Sequence, residues 1–503
     1  MTRAQKKQKK RRPSAIRFAV VGWVAAAVCG LLLTLLVRDF MALGAESGGS
    51  CGTRRGPCPN HWGLIFALSF LPLMILVPLA CYTLYKARRH AWIAGLVAAA
   101  VCVYPGWLLF DVVHGPTLKF AWSAPHDRGS DTDTEGIWVS GDLVVRGTFD
   151  GLTAYAAGTG RRAWHSVLPR RDTLCAMTRT ADQGIGLIAH EPGSGQCASI
   201  NAIDTATGRS LWTLTLPAGR PSLDKEADSL AIAGTTGVYR TNDTIGGFTV
   251  RDGKTLWRSE HKLDGCAFQW VAGTPTQILV GERCTRPGDP RMPPVGFSQF
   301  VRALDPATGR ELWKTDLQVV GNATVDLANV APLVVAVRES DTRGRKSLMA
   351  LDVQGRVTAT VPTDDPDRII DTHDRAFVSA VPTRKIVVAR DTLVAVARAE
   401  AGGYTLVGYR LSDGRLLWTS EKSRNTIAAI AFDGTNVFTL TSHVSTLQLR
   451  SFDPSTGKER TSAVVPSRWN DSRAHILPAP PGLMVAASSG RTPYHPLRLI
   501  PHP

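Results

Sequence analysis

The chain has 503 residues, a formal charge of +16, 44% hydrophobic residues and 20% charged residues. That length exceeds one ordinary compact domain unless the chain is built from repeats. The charge excess does not point to nucleic acid, because half of it lies in Arg3, Lys6, Lys7, Lys9, Lys10, Arg11, Arg12 and Arg17, just before an apolar run, where it reads as a membrane-orientation signal.

Residues 1–17 are a basic tail, expected in the cytoplasm. Phe18 to Val37 is a charge-free run of 20 residues. At about 1.5 Å per residue it spans about 30 Å, the thickness of a bilayer core. Further runs cover about 62–85, with Pro72 and Pro78, and about 91–110, with Pro105 and Gly106; Asp111 and His114 mark the exit. Residues 18–113 are therefore expected to hold three transmembrane helices rather than buried helices of a soluble core. The turn Lys86-Ala-Arg88-Arg89-His90 is basic, like the tail, whereas the loop Asp39 to His61 is not dominated by positives. The positive-inside rule then puts the N-terminus in the cytoplasm and everything after Pro116 outside. Met41-Ala-Leu-Gly-Ala45 is a poor cleavage site and Arg11-Arg12 a weak twin-arginine lookalike, so a cleaved signal is the lesser reading.

Nine cysteines fit this placement. Cys29, Cys81 and Cys102 fall within the apolar runs. The other six form three local pairs, Cys51/Cys58, Cys175/Cys197 and Cys266/Cys284, all on the expected outer side, where disulfides persist. The spacing of Cys51 and Cys58 is wrong for a zinc knuckle. Cys266 and Cys284 are centred on Gly273-Thr-Pro-Thr276, so they are expected to face each other across a hairpin and be bonded.

Residues 118–503 repeat. Asn201-AIDTATGRSL-Trp212, Val301-RALDPATGREL-Trp313 and Leu447-QLRSFDPSTGKER-Thr461 are near copies. Looser copies end at Trp164, Trp257, Ala359 and Trp418. Each joins an alternating strand to a tight turn (Asp204 to Gly208, Asp305 to Gly309, Asp413-Gly414, Asp453 to Gly457) and then to a strand bearing a large ring. Asp caps the turn amides and Gly supplies positive φ. With an upstream strand pair, each unit of roughly 45–50 residues holds four strands, one propeller blade. A β-sandwich would explain the alternation but not seven turn-plus-ring units. An eighth unit is split: Gly482 to Ser489 and Leu497 to Ile500 lack a last strand, and Leu118 to Ala124 supplies it, with Trp122 in phase 42 residues before Trp164. The expected fold is all-β, an eight-bladed propeller preceded by the helices. The helix exit and the ring-closing strand form one continuous segment.

The pattern D-x-x-T-G-[KR]-x-x-W resembles the PQQ-like (pyrroloquinoline quinone) propeller family, within the wider WD40/YVTN-like group. That family includes quinoprotein dehydrogenases and the non-enzymatic outer-membrane assembly lipoprotein BamB. The resemblance implies that Trp122, Trp164, Trp212, Trp257, Trp313 and Trp418 dock between blades. The fifth and seventh copies carry Ala359 and Thr461 instead, and those blades are expected to be the least regular.

The resemblance also implies what a quinone enzyme would need: an adjacent Cys-Cys disulfide, a calcium site and an Asp base. The sequence has no adjacent Cys-Cys pair and no C-x-x-C-H haem site, and Asp204, Asp252, Asp305, Asp413 and Asp453 are taken up by turns. Gly184-Ile-Gly186 and Gly246-Gly247 do not open a phosphate loop. His190, His261, His373, His443, His475 and His495 show no ligand spacing. No catalytic, cofactor-binding or metal residue is assigned. The basic loop Leu168 to Asp172, the stretch Arg283 to Arg291, and above all the Pro-rich insertion Arg286 to Gly296 are candidate partner loops. The expected function is a non-enzymatic scaffold in the bacterial cell envelope, anchored as a multi-pass protein in the plasma membrane and binding a protein, peptide or envelope ligand. The alternatives are a PQQ-dependent membrane dehydrogenase and a ligand sensor acting through a separate partner.

Overall fold

The computed structural model describes all residues except 1–2, 48–61, 87–90, 115–117, 125–133, 170–171, 192–196, 217–222, 224–227, 262–264, 286–295, 320, 342, 371, 373–384, 400–401, 424, 443–445, 467–473, 488–494 and 502–503. Cys51 and Cys58, His373, His443, the Lys86–His90 turn beyond its first residue and the core of the Pro-rich insertion lie outside the described residues.

The N-terminal unit is helical. α1 (Arg3–Ser47) runs through the basic tail and the first apolar run, and α2 (Trp62–Lys86) holds the second. The third run forms α3 (Ala91–Val101) and α4 (Val103–His114), with a break at Cys102, and the two together make the third expected apolar stretch. Pro105 explains the break: it has no N–H to give Val101, and its ring crowds the carbonyl four residues back. The apolar stretches Arg17–Leu43, Trp62–Lys86 and Ala91–Val113 are each long and apolar enough to cross a membrane. Helices pack closely at small residues. A Cβ on Gly30 would lie 2.2 Å from the Ala99 carbonyl oxygen, and one on Gly106 would lie 2.9 Å from that of Leu31. At the end of the first apolar run, Arg38 donates to Asp111 at 2.7 Å and to the Trp107 carbonyl at 3.0 Å, with its guanidinium over the Trp107 ring.

The second unit is an eight-bladed propeller of antiparallel sheets. Blades 1 to 5 cover 136–167, 173–215, 230–260, 266–316 and 323–362, and blade 7 covers 427–466; each has four strands in sequence order. Blade 8 joins His475–Ala479, Gly482–Ala486 and Leu497–Pro501 to Trp122–Ser123, with Trp122 opposite Leu499. The ring therefore closes by pairing strands from distant parts of the chain, which removes exposed edges. Neighbouring blades meet along their first strands, as between Leu230–Ala233 and Cys266–Gly273. Their apolar faces interlock, for example Val325, Val335 and Met349 of blade 5 with Val301, Ala303 and Trp270 of blade 4.

The irregular blade is the sixth, which corrects the expectation for the fifth and seventh. Blade 5 has four strands of six or seven residues. In blade 6 the long strand Thr392–Ala399 pairs first with Ile386–Ala389 and then, beyond it, with Arg368–Ile370, which itself pairs with Asp364–Asp365. The inner edge of blade 6 is thus made of two successive pieces. An unlike side chain at one ring position does not disturb strand pairing, as the four regular strands of blade 5 show.

The hairpin between the third and fourth strands is the same in most blades. In blade 2 the Gly208 N–H donates to the Asp204 carbonyl at 2.7 Å, and the Asp204 N–H to the Arg209 carbonyl at 3.0 Å. Gly208 has φ +72°, and the register slips by one residue between Ala202 and Ile203. A turn closed by a glycine in the left-handed region produces such a bulge.

Candidate functional site

The six tryptophans lie on outer strands, and each reaches the hairpin of the following blade. Trp122 Nε1 donates to the Ala157 carbonyl at 2.7 Å, Trp164 to Thr205 at 3.0 Å and Trp212 to Val250 at 2.9 Å. Trp257 donates to Pro306, Trp313 to Val353 and Trp418 to Pro454, each at 2.9 Å. Each ring also lies against the turn glycine, leaving no room for a side chain there: a Cβ on Gly309 would stand 2.4 Å from Trp257, and one on Gly457 2.3 Å from Trp418. The turn aspartates accept backbone N–H groups within their own turn, as Asp204 does from Ala206 and Thr207, Asp305 from Thr308, Asp413 from Arg415, and Asp453 from Ser455 and Thr456. The Ser455 hydroxyl and Arg460 hold the Asp453 carboxyl well below the usual range. At Thr461 the hydroxyl pairs with Ser451 of its own blade at 2.6 Å. The third and fourth strands of blade 8 are not consecutive, so no hairpin joins them there to receive a ring.

Two inner tryptophans went unread in the sequence. Trp138 donates to the Thr178 carbonyl at 2.7 Å and Trp270 to that of Val325 at 3.0 Å, both in the next blade. Trp138 is fully buried. Gly186 and Gly281 were the available signal: a Cβ on either would stand 2.3 Å from the indole of Trp138 or Trp270.

A cluster of charged side chains lies at the junction of blades 3 and 4. Cys266 and Cys284 are direct cross-strand partners and are bonded. A bulge between Phe268 and Trp270 makes this possible: the hairpin pairs Gly273 with Ile278, a register that without the slip would carry Cys266 past Cys284. Cys175 and Cys197 in blade 2 are bonded as well. Glu282, on the strand of Cys284, is buried with Lys314 Nζ at 2.7 Å, Arg302 at 3.3 Å and His261 Nδ1 at 3.4 Å. Arg302 also donates to Glu311 at 2.8 Å. A buried carboxylate persists as an ion only with such partners. His261 stacks on Phe268 with ring centres 3.8 Å apart. Burial pushes the His261 imidazole below its ordinary pKa, Glu282 pulls it back, Arg302 and Lys314 push it down, and Asp243 raises it.

Two further pairs join neighbouring segments. Arg179 and Asp228 form a bidentate pair, with Arg179 Nη2 at 2.7 Å from Oδ2. His190 Nδ1 lies 2.7 Å from Asp172, at the end of the basic loop, and its Nε2 lies 3.3 Å from Asn201. Of the other predicted histidines, His475 is buried and His495 Nδ1 lies 2.6 Å from the Ala124 carbonyl.

Three acidic groups of the described residues are already engaged by other partners. Calcium needs several carboxylate and carbonyl oxygens free to turn toward it. Asp228 faces Arg179, Glu282 faces two cations, and Glu339 accepts the Arg345 N–H at 2.6 Å. His261, Cys266 and Glu282 cluster closely enough for a metal, but with Cys266 in a disulfide the set lacks a thiolate, and Arg302 and Lys314 oppose a further cation.

The family model for outer membrane protein assembly factor BamB matches residues 148–289 and 298–477. Among curated proteins, lupanine 17-hydroxylase [cytochrome c] of a Pseudomonas species is 25% identical over 280 residues. The match covers 52% of this chain and spans 37% of that protein's length. Among solved structures, BamB from Moraxella catarrhalis is similar with 14% identity and a TM-score of 0.45, over 76% of this chain and 99% of that one. Quinohemoprotein alcohol dehydrogenase from Comamonas testosteroni is similar with 12% identity and a TM-score of 0.47, over 76% of this chain and 75% of that one.

Proposed function

The chain belongs to the BamB family of PQQ-like propellers, and from that premise we propose that it is a membrane-anchored, non-enzymatic scaffold whose blade-end loops bind a protein, peptide or envelope ligand outside the plasma membrane. The observation that carries this reading is the combination of three stretches long and apolar enough to cross a membrane with a ring pinned from blade to blade by indole-to-turn hydrogen bonds. A ring fixed in this way holds its loops in constant relative positions, which favours recognition by lowering the ordering cost of binding. The basic tail supports a cytoplasmic N-terminus, and the disulfides support an oxidising compartment for the propeller.

The test is crosslinking in intact cells followed by purification of the anchored protein. A reproducible partner, lost on deletion of the Arg286–Gly296 insertion, supports the scaffold. The curated hydroxylase relative motivates one competing reading, a quinone-dependent dehydrogenase. If the purified chain, given calcium and pyrroloquinoline quinone, takes up the quinone's absorbance and reduces a dye, the scaffold reading fails.

A further inference from the structure

We propose that reduction of the Cys266–Cys284 disulfide converts the junction of blades 3 and 4 into a binding site for a thiophilic divalent cation of the zinc class, with Cys266, Cys284, His261 and Glu282 as ligands. A ring nitrogen of His261, the Cys266 sulfur and a Glu282 oxygen already lie within 4.8 Å of one another, and Cys284 is directly across the strand pair from Cys266. Around zinc, bonds of about 2.0–2.3 Å place neighbouring ligands about 3.3–3.8 Å apart. The side chains therefore need to close by about 1 Å, on a scaffold that fixes three of the four on paired strands and the fourth, His261, just past the end of the neighbouring blade's last strand.

One polar atom of the cluster is under-used. His261 Nε2 is buried without a hydrogen-bond partner among the described residues. Glu282 Oε2 is paired with Lys314 Nζ at 2.7 Å, a pairing that a bound cation replaces. Stacking on Phe268 fixes the imidazole plane. Both cysteines are only half-buried, so a reductant and an ion can reach them.

Charge balance explains why the site depends on redox state. In the oxidised chain Glu282 and Glu311 offset Arg302 and Lys314. A dithiol reductant delivers two electrons and two protons. The S–S bond breaks, two thiols form, and the reductant closes to its own disulfide. A divalent cation then forms two metal–sulfur bonds and displaces the two thiol protons. Two thiolates and one divalent cation sum to zero, so the loaded site keeps the balance of the oxidised one.

The test uses the full chain in detergent with cobalt(II) as the probe. After anaerobic phosphine reduction, it is expected to bind cobalt with thiolate-to-metal charge-transfer bands and the strong visible bands of tetrahedral cobalt; without reduction it shows neither. The Cys266→Ser/Cys284→Ser variant is expected to lose these bands, and Cys175→Ser/Cys197→Ser to keep them. His261→Ala and Glu282→Gln, which leave both sulfurs in place, are expected to weaken cobalt binding by about tenfold or more, at least the loss seen for outer-shell partners. Absence of the bands after reduction overturns the proposal, as does their persistence in Cys266→Ser/Cys284→Ser or unchanged affinity in both His261→Ala and Glu282→Gln.

Discussion

The Thr358 hydroxyl donates to the Leu411 carbonyl at 3.2 Å, at the position in the hairpin of blade 6 where other hairpins receive an indole N–H. Ala359 occupies the ring position, opposite Ala350 as Trp313 is opposite Ala303. The preceding residue supplies a hydroxyl there without the ring, shared with the Ala350 carbonyl of its own blade at 3.3 Å. The seam between blades 5 and 6 keeps a polar contact, and Ala359 is buried there in an apolar cluster with Val334, Leu348, Leu393 and Leu411.

Thr358→Val is expected to destabilise the propeller by about 1 kcal/mol, the net value of one hydrogen bond, while Thr358→Ser stays near wild type. Urea unfolding of the three chains side by side checks this. Equal midpoints for Val and wild type would show that the bond contributes nothing.

The fully equipped seams should be costlier to break. Trp257→Ala removes the ring from Gly309 and the bond to Pro306. The expected loss is about 3–5 kcal/mol, the range for truncating a large packed ring. Trp257→Phe, which keeps most of the apolar area and loses the donor, should cost about 1–2 kcal/mol. Gly309→Ala meets both a φ of +68° and the indole, so it should be destabilising despite adding a single methyl. Thermal unfolding of the three variants gives the order.

Much of the ring was legible because the propeller repeats its own solution. The turn glycine needs positive φ, the aspartate caps amides, and the indole needs a carbonyl, so spacing alone placed Trp122 with Leu497–Ile500. The seams of Trp138 and Trp270 were not legible, since those rings sit in first strands without a turn motif to flag them. Nor was the junction of blades 3 and 4: His261 and Glu282 are 21 residues apart, and their meeting depends on how one blade packs against the next. The Cys266–Cys284 hairpin was found by symmetry about residue 275, yet the bond relies on a bulge that no local sequence signal announced.

The disulfides make separate contributions. Cys175 and Cys197 are 22 residues apart and buried, and Cys266 and Cys284 are 18 apart. Loops of that length predict about 3 kcal/mol each from restriction of the unfolded chain. Reduction is therefore expected to lower the urea midpoint, and Cys266→Ser/Cys284→Ser to lower it by roughly half as much. Mapping under non-reducing conditions should recover both bonded peptide pairs; free thiols at all four positions would contradict the pairing.

Orientation is open to a direct probe. Gly158 sits in the blade 1 hairpin with open space around it. A Gly158→Cys chain is expected to react with a membrane-impermeant maleimide in intact cells, whereas Thr2→Cys should react only after lysis. The reverse pattern would place the propeller in the cytoplasm and remove the basis for an envelope ligand.

The His261 cluster predicts a pH dependence of stability. The folded pKa of His261 is lowered by burial, with Glu282 and Asp243 opposing and Arg302 and Lys314 adding to the shift. Its unfolded value is about 6.5. Between the folded and unfolded values the unfolded chain binds more protons, so stability rises with pH through that window and falls as pH drops below about 6.5. His261→Gln lacks the titrating group and should lose this dependence. The difference in melting temperature between wild type and His261→Gln is expected to narrow or change sign from pH 7.5 to pH 5.5, with wild type losing ground as acid is added. The turn aspartates do not confuse the result. Asp305 and Asp453 have lowered pKa values, so the stability they add is present above about pH 4 and is lost only as pH falls further. A constant difference across that range would mean that the imidazole keeps one protonation state in both forms, and that the cluster is held by the Glu282 ion pairs alone.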